Sequence, residues 1–276
     1  MKGFGNNVEE ECKTLLGLLI ELGESLKGRQ APDQRFVDGE PLAGKVVCHA
    51  CSILLLSRGT RLDDIPGGRV NFLDYASMLV LARALLESVW AFYQVFVEPE
   101  TDDERAFRYC CWTLAGFVQR EGFPATTDPG KEQLVRDREA NARYREELES
   151  TEAFGRLSPS DKKRVLDGKL WRLERLTDRA GGFLGNRYGP AIYAWLSSYQ
   201  HADALSAIQI RTAAEDKGQR QMADIALWLA AISLSQMVEA YLRLWPHLKE
   251  ATSRYPEIET LVEMYARILQ LEPDID

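Results

Sequence analysis

Residues 75–97 read YASMLVLARALLESVWAFYQVFV. The run is long enough to cross a bilayer, which takes about 20 apolar residues. Arg83 and Glu87, however, stand near its middle. Each would cost about 2.5–3.5 kcal/mol at a bilayer centre on insertion scales. The run is therefore expected to be a core helix of a water-soluble, all-α protein, ending before Pro99, which disfavours helix in the residue ahead of it. A second apolar stretch, IALWLAAISLSQMV between Asp224 and Glu239, is short enough to suit a buried core helix.

Elsewhere in the chain helical periodicity dominates and strand signals are nearly absent. Helices are expected at about 7–27, 44–58, 72–97, 102–121, from Pro190, 218–245 and 256–270. Asn7 is placed to cap the first and Gly59 to end the second. DDIPGGRVN, 63–71, reads as a turn-rich connection. From Lys131 to Arg179 charges of both signs interleave with few large apolar residues, as on solvated helices. Within that block Ser158, Pro159 and Asp161 form a helix start, and Leu170, Leu173 and Leu176 a narrow apolar stripe. The expectation is a single domain, 1–276. It would be a helical bundle of about eight to ten helices, with 131–179 as a charged helical insertion.

Bulk chemistry narrows the function classes. The net charge of −8 disfavours general affinity for nucleic-acid backbones. Five cysteines in irregular spacing suit free thiols in a reducing cytosol better than a disulfide framework. MKGFGNNVEEECK is too acidic for a signal peptide. A cytoplasmic protein with no membrane association is expected.

One further stretch carries chemistry: GPAIYAWLSSYQHADALSAIQI, 189–210. At helical pitch Ile192, Trp195, Leu196, Tyr199 and Ala202 share an apolar face, while Tyr193, Ser197 and His201 advance along another. That second face carries no Lys or Glu between 190 and 202, so it is expected to be covered or to line a cleft. A hydroxyl one turn from an imidazole is a natural partner for acid–base work. The bland alternative is a core histidine satisfied by Ser197 or a backbone carbonyl. Arg83 and Glu87 are one helical turn apart on the most apolar helix, in the order that stabilises an isolated helix less. Burying them is costly unless their geometry is good. Either they face water or they serve something that needs charge.

Arg-x-x-x-Glu (Arg83, Glu87) followed far downstream by Tyr-x-x-x-Ser-x-x-x-His (Tyr193, Ser197, His201) resembles the core of a widespread bacterial family of helical proteins of unknown function, over roughly 72–245. The resemblance implies a polar centre shared by two helices and supplies no activity. A more distant likeness is to the helical ribonucleases of toxin and antiviral systems called higher eukaryote and prokaryote nucleotide-binding proteins. Their motif places an arginine four to six residues before a histidine. No arginine precedes His201 at that distance, and Arg243 and His247 are too close, with Pro246 between them. The likeness implies phosphodiester cleavage only if Arg83 supplies the charge across helices.

The candidate catalytic set is thus Arg83, Glu87, Ser197 and His201, with Tyr193 and Gln94 as ligand-binding residues. Arg83 would hold an anionic group, Glu87 would orient Arg83 or His201, and His201 would move a proton. No cofactor is implied. Cys48, His49 and Cys51 supply at most part of a zinc site, and no metal is assigned. RNA or a phosphate-bearing small molecule is the expected substrate or ligand. The alternative is a non-catalytic interaction protein with a buried polar network and a protein partner or second copy.

Overall fold

The computed structural model describes residues 7–31, 33–66, 68–201, 203–213, 216–252 and 256–267. They form two compact units, one drawn from both ends of the chain, up to Trp90 and from Leu176, the other Ala91–Arg175.

In the first unit α1 (Val8–Leu26) and α2 (Glu40–Leu56) lead, with a 3-10 turn, Gln34–Gly39, before α2. Leu15, Leu18, Leu19 and Leu22 of α1 recur at helical spacing and are buried. Asn7 occupies the position before α1, but its side chain makes no capping bond; its carbonyl accepts from Glu11 N–H. The 3-10 turn is capped by the Asp33 side chain, which accepts from Arg35 N–H, and with α2 starting at Glu40 it makes residues 34–43, between the helices expected at 7–27 and 44–58, helical.

The connection expected at 63–71 is a β-hairpin, β1 (Thr60–Ile65) with β2 (Gly68–Phe72). The pairing is antiparallel, Thr60 opposite Phe72 and Leu62 opposite Val70, with a shift between Leu62 and Ile65. That irregularity breaks the alternation on which a strand pattern depends. Next comes α3 (Tyr75–Phe92), whose Met78, Leu79, Leu85, Leu86 and Val89 are fully buried.

After the second unit the first resumes with α8 (Leu176–Leu184), α9 (Gly189–Gln200), α10 (Ala204–Thr212), α11 (Asp216–Leu244), the one-turn α12 (Lys249–Thr252) and α13 (Pro256–Arg267). α11 packs on α1, α2 and α13, and α9 on α8 and α10. A β-carbon at Gly189 would lie 2.1 Å from the Ala180 carbonyl oxygen, so only glycine allows α8 and α9 to approach this closely. Ala202 and 268–270, assigned to helices from sequence, lie outside the described residues.

In the second unit a π-helical segment, Tyr93–Val97, is followed by α4 (Asp102–Glu121), α5 (Asp128–Glu149), the one-turn α6 (Glu152–Gly155) and α7 (Pro159–Leu166). α4 and α5 pack together, and α6 and α7 rest on α4. The Ser158 hydroxyl accepts from Asp161 N–H and donates to the Asp161 carboxylate, as the helix-start pattern requires. Lys169–Arg175, expected to be helical, is not; Leu173 there is exposed. Arg120 forms a bidentate pair with the buried Asp137 carboxylate, joining α4 to α5.

The all-α class holds, with the hairpin as the sheet structure among the described residues. The helical segments exceed eight to ten because α8, α10 and the single-turn α6 and α12 escape periodicity, which needs several turns to register. Three helical stretches are long and apolar enough to cross a membrane: Gln34–Leu56, Tyr75–Val97 and Lys217–Leu244.

Candidate functional site

The polar centre is built on α3 and α9. Arg83, Glu87 and Trp90 stand at positions i, i+4 and i+7 of α3 and therefore on one face. α9 brings Tyr193 against that face, its ring centroid 5.6 Å from that of Trp90. Arg83 Nη2 donates to the Tyr193 hydroxyl at 2.8 Å, and that hydroxyl donates to Glu87 Oε1 at 2.9 Å. Arg83 Nη2 lies 3.1 Å from the same carboxylate oxygen, closing a triangle. The guanidinium carbon also sits 4.9 Å from the Tyr193 ring centroid, where a cation is attracted to the ring face. On the same ring cluster, Phe183 of α8 packs against Trp90 at 6.0 Å.

The Arg83 side chain is 10% exposed and that of Glu87 23%. Two charges so placed lose hydration worth several kcal/mol each, so they persist only with good geometry and further hydrogen bonds. Tyr193 supplies those bonds for one corner of the guanidinium. Arg83 Nε and Nη1 are buried with no hydrogen-bond partner among the described residues, and so is the Trp90 indole N–H. Three buried donors on one α3 face thus lack acceptors, which is an unusual accumulation for a packed interior.

The Tyr193 hydroxyl is held above its ordinary pKa, chiefly by burial, with the bond to Glu87 acting in the same direction and that to Arg83 opposing. It stays protonated near neutrality and is a donor there, not a base.

The other sequence candidates do not join this triangle. The Ser197 hydroxyl donates to the Tyr193 carbonyl one turn back, at 2.8 Å, rather than to His201. His201 is exposed and ends α9, its backbone N–H bonded to the Ser197 carbonyl. It lies eight residues beyond Tyr193, about 12 Å along the helix at 1.5 Å per residue. Gln94 is buried in the second unit, in the π-helical segment, where its side-chain amide donates to the Trp171 carbonyl at 2.7 Å. Cys48 is exposed and Cys51 half-buried. Among the described residues no group of three His, Cys, Asp or Glu side chains converges.

Sequence reasoning misses Trp90 as a member of the centre, although its spacing of seven from Arg83 places it on the same helical face. The apolar character of 75–97 hides it among core residues. No family model, curated protein or solved structure matches the chain.

Proposed function

We propose that the protein is a non-catalytic helical binding protein whose centre, Arg83 with Glu87 and Tyr193, holds the anionic group of a phosphate-bearing small molecule. The observation that carries this reading is the buried guanidinium whose Nε and Nη1 have no partner among the described residues. Each of these N–H groups is a charge-assisted donor suited to an anionic oxygen such as that of a phosphate. Glu87 and Tyr193 occupy the remaining corner and fix the orientation of the fork.

Acid–base cleavage of RNA is the weaker reading. It needs a proton carrier at the scissile group, and His201 stands two helical turns from Tyr193 in solvent. The net charge of −8 also opposes a polyanion more than a small anion. A cytosolic setting is part of the proposal, resting on that charge and on the free cysteines.

The test is thermal unfolding with inorganic phosphate. Saturating phosphate, at about 100 times its Kd, adds about 2.7 kcal/mol to the stability of the wild type. Arg83→Lys, which keeps the charge and removes the fork, abolishes the increment. An increment of equal size in Arg83→Lys, or none in the wild type, overturns the reading. Cleavage of an RNA panel that disappears in His201→Ala also contradicts it and favours the acid–base alternative.

A further inference from the structure

A cavity of about 610 Å³ opens in the first unit among α1, α11, α12 and α13. That size lies within the range of small-molecule sites, about 300–1,000 Å³. It is separate from Arg83 and its partners, none of which lines it. Its floor is apolar, formed by Leu18, Leu242, Ile258 and Val262. α13, one of its walls, is tied to α1 by a hydrogen bond from the Tyr265 hydroxyl to Glu11.

The rim carries both signs of charge. Arg243 and Lys249 supply two cations, and Glu239, Glu259 and Glu263 three carboxylates. Glu259 accepts from the Thr252 hydroxyl at 3.2 Å. The other four are exposed and make no ion pair with one another, although Glu239 precedes Arg243 by four residues, the favourable order for pairing on a helix. Opposite charges that make no ion pair among the described residues, set around one apolar mouth, are complementary to a molecule with an apolar body and a head bearing both charges.

We infer that this cavity binds a single-chain zwitterionic amphiphile. The chain lies on Leu18, Leu242, Ile258 and Val262. The anionic part of the head faces Arg243 and Lys249, and the cationic part faces Glu239 and Glu263.

Isothermal titration of the full chain with dodecylphosphocholine, below its micellar concentration, tests this. Dodecanoate and dodecyltrimethylammonium serve as singly charged probes of equal chain length. The expected result is saturable binding of one dodecylphosphocholine per chain, with each singly charged probe about tenfold weaker. Leu242→Trp, which fills the floor, abolishes binding while the helical circular dichroism spectrum is retained. Arg243→Ala, at the exposed rim, weakens dodecylphosphocholine about tenfold, leaves dodecyltrimethylammonium no weaker, and keeps the inference testable if Leu242→Trp does not fold. Arg83→Lys leaves the titration unchanged. Absence of saturable binding, equal affinity for all three probes, or no effect of Arg243→Ala overturns the inference.

Discussion

A guanidinium is costly to bury with donors unmet, and Arg83 is held in that condition by Tyr193 and Glu87. Removing the Tyr193 hydroxyl leaves Arg83 Nη2 without its 2.8 Å bond and Glu87 without its 2.9 Å donor. Tyr193→Phe is therefore expected to lower stability by about 1.5–3 kcal/mol in chemical denaturation, the usual worth of hydrogen bonds to charged groups. A change below about 0.5 kcal/mol, typical of surface substitutions, would show that the triangle contributes nothing.

At the same scale, Asp137 gives a pH signature for the second unit. Its carboxylate is held below the ordinary range, first by the hydrogen bonds from Arg120 and, beyond them, by that from Gln133, with burial opposing. The sign follows from linkage: a depressed folded pKa adds stability above the unfolded value, about 3.9, and that stability is lost as pH falls through the folded value. The stability advantage of the wild type over Asp137→Asn should therefore be full near pH 6 and shrink below about pH 4. A difference that stays constant across an acid titration of denaturant midpoints would contradict the assignment.

Among the elements, α9 matters because it sets where Tyr193 meets α3. Gly189 permits that placement by meeting the Ala180 backbone without a side chain. Gly189→Ala drives a methyl group into a carbonyl oxygen and should cost at least about 1–3 kcal/mol, the usual penalty of overpacking. A β-carbon at Gly182, within α8, would meet nothing within 4 Å, and Gly182→Ala should stabilise by about 0.4–1 kcal/mol through the unfolded state. Melting temperatures that move the same way for both variants would contradict this account of the α8–α9 contact.

Legibility from sequence also divides by element. α1, α4 and α11 lie within a few residues of expectation because each runs for many turns, α1 and α4 with an apolar face and α11 buried all round over 229–238. The hairpin is illegible because all five β2 residues are exposed, so no buried alternation marks it. The end of α8, residues 180–184, falls outside the expected helices because its Gly181–Gly182 pair mimics a turn. At the polar centre, Arg83, Glu87 and Tyr193 are legible from their four-residue steps and their apolar setting. The placement of His201 is not, since the end of α9 between Gln200 and His201 carries no glycine or proline signal.

At the scale of the whole molecule, a net charge of −8 is combined with a buried guanidinium that has donors to spare among the described residues. The overall charge repels polyanions, while the buried guanidinium keeps Nε–H and Nη1 as donors for the oxygens of a small anion. The amphiphile cavity is lined by different residues and stands or falls separately. A full description of function therefore depends first on whether the unpartnered Arg83 nitrogens take an acceptor.

The most direct measurement is nitrogen-15 NMR of the arginine side chains during a phosphate titration. A protected Nε–H resonance assigned to Arg83, by its absence in Arg83→Lys, should shift saturably with phosphate while the exposed arginine signals move little. An Arg83 signal unmoved by phosphate at saturating concentration would contradict the central claim.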